Sequence, residues 1–115
     1  MTMPENDNPL GGMLMELRRG TAVLCALCRL KEPMYGYNLV SELAAAGIQA
    51  EANTLYPLLR RLESQGLLES HWDTTEAKPR KYYVTTEEGR KLYAELEKGW
   101  HELVESVDKI ISNNQ

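Results

Sequence analysis

The chain has 115 residues, of which 43% are hydrophobic and 26% are charged, with two cysteines and no phenylalanine. This length and composition are typical of one soluble globular domain with a modest core, and no stretch is apolar enough to span a membrane. The formal net charge of -4 gives no general preference for nucleic acid, so any phosphate binding requires a local basic surface.

Two features are expected at the N-terminal end. Residues 1–12 contain two Pro, two Gly and several polar residues without periodicity, which predicts a flexible arm. From Met13 to Lys31 the apolar residues recur at intervals of three and four, which is the pattern of an amphipathic helix. Pro33 ends this helix, because the residue before a proline is driven out of the helical conformation.

Two shorter helices follow. The second helix is predicted from about Tyr37 to Ala46, and a turn leads from it into the third helix. Pro57 lacks an N–H group and is best tolerated in the first turn of a helix, where that group has no partner. We therefore predict Thr54 as the N-cap of the third helix, with Asn53 as the alternative.

A β-hairpin is predicted after the third helix. Residues 67–72 and 80–85 are rich in β-branched and aromatic side chains, and a polar turn at 73–79 joins them. Three helices followed by two strands predict a mainly α (α+β) fold, a winged helix-turn-helix. We assign residues 13–85 to this DNA-binding domain.

Residues 86–115 are assigned to a long C-terminal dimerisation helix. Thr86 is expected to cap it, with Thr85 and a capping box as the alternative. Its apolar residues form a heptad seam on a helix of about 40 Å, longer than a small winged domain can cover, so a second copy of the chain is favoured over folding back. The predicted dimerisation residues are Leu14, Leu17, Leu96, Trp100, Leu103, Val107 and Ile110.

The third helix has two faces. Its leucines fall on one side, and polar residues that include Arg60 and Arg61 fall on the other. Arginine binds guanine edges or phosphates, so this face is a candidate groove reader, although a merely solvated helix face has the same pattern. The hairpin turn carries Lys78, Arg80 and Lys81, which either contact the DNA backbone or keep a strand edge soluble.

Nothing in the sequence indicates an enzyme or a cofactor. Catalytic triads, Gly-rich phosphate loops and carboxylate pairs are lacking. Cys25 and Cys28 form a single pair within a helical pattern, without the further ligands that a zinc site needs, so we expect core packing and no metal. The apolar run at 21–28 is too short for a signal peptide, and a reduced, cytoplasmic protein is the simplest interpretation.

Three segments carry a family resemblance: Y-G-Y-N-L at 35–39, N-T-L-Y-P-L-L-R-R-L-E-S-Q-G-L-L at 53–68, and P-R-K-Y-Y-V-T-T-E-E-G at 79–89. In these segments the chain resembles the PadR family of bacterial transcriptional regulators, in its compact form with a single C-terminal helix. With the final helix, the resemblance covers about residues 14–111. Thr85 departs from the family pattern, which usually has Leu before the capping Thr.

The resemblance implies a dimeric, repressor-type regulator whose first and last helices form the dimer. It also implies that the third helix enters the major groove and that the wing touches the flanking backbone. Some members bind planar aromatic compounds between their C-terminal helices, and Trp100 falls where such members carry an aromatic residue. Together with the exposed helix face, the resemblance assigns DNA binding to Tyr37, Asn53, Thr54, Tyr56, Pro57, Arg60, Arg61, Lys78, Arg80 and Lys81.

We therefore expect a homodimeric regulator that binds a double-stranded, palindromic operator. The expected mode is repression, released by a small planar or hydrophobic effector that contacts Trp100. The alternative is a winged-helix protein-interaction module without DNA binding, which the acidic charge balance favours.

Overall fold

The computed structural model describes residues 8–48 and 51–114. The order of its elements is that of a winged helix-turn-helix with a long final helix, which confirms the predicted fold class. In chain order the elements are α1 (Pro9–Arg18), α2 (Thr21–Arg29), β1 (Met34–Tyr35), α3 (Gly36–Ala45), α4 (Ala52–Ser64), β2 (Leu68–Asp73), β3 (Arg80–Thr85) and α5 (Glu87–Asn113).

The first predicted helix is in fact two helices. Gly20 has a φ of +90°, a left-handed conformation that glycine adopts without strain, and it separates α1 from α2. The prediction of one helix over residues 13–31 is therefore wrong. Apolar spacing alone could not show the break, because Leu17, Thr21 and Leu24 keep the helical interval across it.

The predicted N-terminal arm is also shorter than expected. The side chain of Asn8 accepts a hydrogen bond of 2.9 Å from the backbone N–H of Leu10 and caps α1, which begins at Pro9. The prediction of a flexible arm is thus wrong for residues 9–12. Residues 1–7 of that arm lie outside the described part of the chain.

The sheet has three antiparallel strands in the order β1-β3-β2, one more than predicted. Met34 pairs with Tyr83, and Tyr35 pairs with Tyr82, so β1 joins the start of α3 to the hairpin. A strand of two residues shows no alternation in the sequence, which explains why it was not predicted. The hairpin of β2 and β3, with its turn, is called the wing below.

The N-cap predicted for the third helix is wrong. Helix α4 begins at Ala52, and the backbone N–H of Thr54 already donates to the carbonyl of Glu51, at 2.9 Å. Pro57 consequently lies in the second turn, where its missing N–H leaves the carbonyl of Asn53 without its helical donor. The proline ring is exposed, so solvent can supply the missing partner.

The core lies where α2, α3, α4 and the sheet meet. Its fully buried side chains are leucines, and two partly polar tyrosines close it on the side of the sheet and of α5. Each fully buried leucine contributes about 1.5–3 kcal/mol relative to an exposed one. These residues are Leu27, Leu30, Leu39, Leu55 and Leu59, with Tyr83 and Tyr93 as the tyrosines.

Thr85 ties the end of the sheet to α2. Its backbone N–H donates to the carbonyl of Leu30 at 2.7 Å, and its hydroxyl donates to the carbonyl of Leu27 at 2.9 Å. Thr85 is buried, so its hydroxyl needs such a partner. This bond accounts for a threonine at the position where the resemblance leads one to expect leucine.

Thr86 caps α5 and ties it to the end of α4. Its hydroxyl accepts a hydrogen bond of 3.0 Å from the N–H of Gly89, which confirms the predicted cap. The same hydroxyl donates to the carbonyl of Gly66 at 2.7 Å, and the Thr86 N–H donates to the carbonyl of Leu67 at 3.1 Å. The origin of α5 is therefore held by both α2 and α4.

Helix α5 extends well beyond the core. It has 27 residues, and every residue from 94 to 114 is exposed. The radius of gyration is 17.3 Å, compared with about 13 Å for a compact chain of this length. Within residues 8–48 and 51–114, no helix is both long and apolar enough to cross a membrane.

Candidate nucleic-acid interface

Helix α4 presents a polar face to solvent, as its sequence predicts. Leu55, Leu59 and Leu62 are buried against the core, which anchors the helix on one side. Tyr56 is half-buried at the edge between the two faces. The exposed face carries five of the predicted contact residues, namely Asn53, Thr54, Pro57, Arg60 and Arg61.

Within the described residues, the two arginines of this face form no ion pair. Among the ion pairs in the described part of the chain, neither Arg60 nor Arg61 has a carboxylate within 4.0 Å. Their guanidinium groups therefore keep their donors for an outside acceptor. A base edge or a phosphate can take two of these donors at once.

A groove of about 390 Å³ lies between α4, the start of α3 and the wing. We call it the wing groove. It brings together five residues predicted from distant parts of the sequence: Tyr37, Tyr56, Arg60, Arg80 and Lys81. Its other lining residues are Gly36, Trp72, Pro79 and Tyr83.

Close packing of α3 against α4 forms the floor of this groove. A Cβ atom added to Gly36 would lie 2.6 Å from a ring carbon of Tyr56, a distance that no side chain permits. Glycine thus allows the first turn of α3 to touch α4. The next residue, Tyr37, is exposed beside α4 as a result.

Arg80 is held against the start of α3 rather than projecting freely from the wing. Its side chain is 30% exposed, and its guanidinium group lies 4.3 Å from the centre of the Tyr35 ring. It donates to the Tyr37 hydroxyl at 3.1 Å and pairs with Glu76 at 3.2 Å and Asp73 at 3.8 Å. These contacts join the wing to the start of α3.

Asp73 is the acceptor at the centre of this arrangement. Its carboxylate accepts a hydrogen bond from the Tyr35 hydroxyl. It also accepts hydrogen bonds from the Thr75 hydroxyl at 2.7 Å and from the Thr75 N–H at 3.0 Å. These bonds lower the pKa of Asp73 from 3.8 to about 2, and the bond from Tyr35 has the largest effect. The carboxylate is therefore ionised throughout the physiological range and closes the wing turn.

Lys81 lies on the other face of the wing, towards α4. Its ammonium group is 4.0 Å from Glu63, and it lies over the rings of Tyr83 and Trp72 at 5.5 and 5.8 Å. Trp72 is 63% exposed and lines the wing groove, although it was not among the predicted contact residues. Its place at the outer end of the predicted strand 67–72 was the feature of the sequence that could have indicated this surface position.

The predicted wing cations thus differ in their surroundings. Arg80 and Lys81 are partly enclosed with carboxylate partners, whereas Lys78 is exposed in the turn. The wing groove does not include Asn53, Thr54, Pro57, Arg61 or Lys78. The candidate interface therefore consists of an exposed helix face and an adjoining groove.

A second surface involves the predicted dimerisation residues. Leu17 of α1 and Leu96, Trp100 and Leu103 of α5 line an apolar groove of about 440 Å³, which we call the α5 groove. Trp100 is 41% exposed there. The remaining predicted residues are Leu14, half-buried on α1, and Val107 and Ile110, exposed further along α5.

Cys25 and Cys28 are both free thiols, half-buried against the core. Within the described residues, no group of three or more His, Cys, Asp or Glu side chains is placed to hold a metal ion. The predicted packing role of the two cysteines agrees with this position.

Comparisons with known proteins point to one family. Residues 23–95 match the model of the transcriptional regulator PadR-like family. An uncharacterised protein of Lysinibacillus sphaericus is 32% identical over 83 residues, covering 69% of this chain and 76% of that protein. A transcriptional regulator of Mycobacterium tuberculosis is 35% identical over 74 residues, or 64% and 69% of the two chains.

The fold agrees with solved structures of the same family. The crystal structure of a PadR family transcriptional regulator from Eggerthella lenta is 56% identical, with a TM-score of 0.85, over 92% of this chain and 95% of that chain. A PadR-like transcription factor from Bacteroides fragilis is 38% identical, with a TM-score of 0.70, over 86% and 98% of the two chains.

Proposed function

The chain belongs to the PadR-like family of transcriptional regulators, and from this premise we propose that it binds a double-stranded operator as a homodimer. In this proposal α4 lies in the major groove and the wing lies along the adjoining backbone. The family is one of regulators and not of enzymes.

The exposed face of α4 supports the proposal most directly. Arg60 and Arg61 are the cations of this face, and in the described part of the chain neither pairs with a carboxylate. An arginine that is not engaged by a carboxylate can bind guanine bidentately, which is the commonest base-specific contact. The acidic net charge does not oppose this, because it is distributed over other surfaces such as the long α5.

The start of α3 supports a phosphate contact beside α4. Helix α3 has no side-chain cap at Tyr35, so the N–H groups of its first turn remain available to an anion. The Tyr37 hydroxyl, fixed by Arg80, borders the same groove. A phosphate seated there would fix the register of α4 without reading sequence.

The uncovered apolar faces support the homodimer. Leu103 is 56% exposed and Ile110 is 65% exposed, and α1 also exposes Leu10, Met13 and Leu17, of which Leu17 shares the α5 groove with Leu103. Soluble monomers rarely leave a continuous apolar face of this kind. A two-fold pairing of α5 with α1 and α5 of a second copy would cover it and set two α4 helices on a palindrome.

We further propose that the regulator is a repressor and that a small planar or hydrophobic compound releases it. Trp100 supports this, because its half-exposed ring lines the apolar α5 groove. A compound stacked on that ring would lie between the C-terminal helices of the dimer and could change their angle.

The test is footprinting of the protein on the DNA next to its own gene. Its affinity for that DNA is then measured by fluorescence anisotropy at increasing salt. Specific binding should weaken steeply, because each neutralised phosphate adds about -0.9 to the slope of log K against log salt. Footprints over a palindrome would support the dimer. Absence of salt-sensitive binding to this or any other sequence would contradict the proposal and leave the interaction module.

A further inference from the structure

Cys25 and Cys28 lie one turn apart on α2 and share a cavity. Both thiols are free and half-buried, and both line a cavity of about 350 Å³ between α2 and α3. We call it the thiol cavity. Its other walls include Leu43, Ala46 and Ile48, so the space beside the sulfur atoms is largely apolar.

The helix places the two thiols as neighbours. Residues three apart on an α-helix have Cβ atoms about 5–6 Å apart on the same side. The residues between them, Ala26 and Leu27, point into the core and are fully buried. At this spacing both side chains can turn towards one atom, for which the Cys28 sulfur would exchange its hydrogen-bond partner, the Tyr93 hydroxyl.

The surroundings decide which chemistry suits this pair. Burial, and then the neighbouring Cys28, raises the pKa of the Cys25 thiol above its ordinary value. A thiol that stays protonated reacts poorly with peroxides, so Cys25 is disfavoured as a peroxide-sensing residue. The described residues also supply no third metal ligand, which disfavours a structural zinc site.

We propose that Cys25 and Cys28 form a dithiol site for a trivalent organoarsenical, whose organic group occupies the thiol cavity. Such a compound, R–As(OH)2, needs two thiols and no further ligand. Two As–OH bonds break and two As–S bonds form, each hydroxide leaves as water with one thiol proton, and arsenic remains trivalent. No oxidant or reductant is required.

The site lies beside the helix-turn-helix. Arg29 and Glu42 form an ion pair from α2 to α3 at the rim of the cavity. Leu43, on the cavity wall, is also part of the buried core that positions α3. An organic group in the cavity therefore contacts the helix whose first turn borders the wing groove.

The test treats the full, reduced chain with phenylarsine oxide and measures intact mass. We expect one phenylarsenic group per chain that resists a large excess of glutathione, a monothiol, and is removed by 2,3-dimercaptopropanol, a dithiol. Chelation by two linked groups is stronger than single attachment by roughly 10²–10⁴-fold. In Cys25→Ser and Cys28→Ser, glutathione should therefore remove the group roughly 100-fold faster.

An adduct that glutathione strips from the unmodified chain would overturn the proposal. So would an adduct equally resistant in either single variant, since one thiol would then suffice. Far-UV circular dichroism checks that the variants are folded. If a variant does not fold, the comparison of the two thiol reagents on the unmodified chain still decides. The readout is mass, so it is independent of whether the protein binds DNA.

Discussion

Asp73 and Arg80 are cross-strand partners where the wing turn begins and ends, and their charged groups lie 3.8 Å apart. Each also contacts a tyrosine from the region where β1 leads into α3, since Asp73 accepts from Tyr35 and Arg80 donates to Tyr37. The wing is thus attached to the helix-turn-helix by side chains. Its orientation is set in the free protein.

This relationship makes the stability of the wing dependent on pH. The pKa of Asp73 falls from 3.8 to about 2 on folding, so its ionisation stabilises the fold fully above about pH 5 and this contribution is lost as the pH falls from 4 towards 2. Asp73→Asn should lower the urea midpoint at pH 7, and the difference from the unmodified chain should narrow at pH 3.

Tyr35→Phe removes the hydrogen bond that lowers the pKa of Asp73 most, so NMR titration should find this pKa closer to 3.8 in that variant. An ordinary pKa in the unmodified chain would contradict this structure of the wing.

Arg60 should carry part of the base recognition. Arg60→Ala is expected to cost about 1–3 kcal/mol of operator affinity, or about 5- to 150-fold in Kd, because a bidentate contact is lost. Lys91→Ala is a suitable control, because it removes the same charge from an exposed position on α5. Anisotropy titrations at fixed salt measure both. Equal effects of the two variants would reduce the role of Arg60 to general electrostatics.

The heptad seam of α5 should hold the dimer. Leu103→Glu places an unpaired carboxylate in the proposed interface, at a cost of at least about 2 kcal/mol, and should shift the chain towards monomer. His101→Glu adds the same charge on a different face of α5, where it should leave the dimer intact. Sedimentation velocity distinguishes the two states. A dimeric Leu103→Glu protein would exclude this seam as the interface.

The two tryptophans allow a direct test of effector binding. Trp72→Phe leaves Trp100 as the sole tryptophan, so quenching by planar aromatic compounds in that variant reports on the α5 groove. The quenching should be saturable and should vanish in Trp100→Ala. If Trp100→Ala is still quenched to the same extent, the signal comes from Trp72 and the proposed effector site is wrong.

Gly89 should not tolerate a side chain although it lies in a helix. An added Cβ would be 2.2 Å from the carbonyl oxygen of Leu67 and 2.7 Å from Cγ2 of Thr85. Overpacking of this kind typically costs about 1–3 kcal/mol and outweighs the gain of up to about 1 kcal/mol that alanine usually brings to a helix. Gly89→Ala should therefore lower the unfolding free energy, whereas Gly99→Ala, whose added Cβ would meet no other segment of the described chain within 4 Å, should raise it slightly. Urea denaturation gives both values.

Much of the fold could be predicted because the pattern of apolar residues is local. The buried face of α4 follows from the spacing of Leu55, Leu59 and Leu62, and the cap at Thr86 follows from its place before an acidic first turn. The exposed polar face of α4 is the complement of the buried face. Those features depend on residues within two or three turns of each other.

The features that could not be predicted depend on contacts between distant segments or on single backbone angles. The conformation of Gly20 breaks a helix whose apolar spacing is continuous, and the position of Pro57 overrides the rule for a first turn. Arg80 was predicted as a wing contact, but its partners Tyr35 and Tyr37 lie more than 40 residues away. Side-chain partners at such distances leave no periodic signal.

The two threonines at the origin of α5 give the helix a mechanical role. Hydrogen bonds from Thr85 and Thr86 reach carbonyls of α2 and of the chain that leaves α4, so the base of α5 is attached to both. The helix is about 40 Å long, so a small rotation at its base corresponds to a large displacement at its far end. In the proposed dimer, a displacement of the far end of α5 would be transmitted through these bonds to α4 and would change the spacing of the two α4 helices that we propose to lie on DNA.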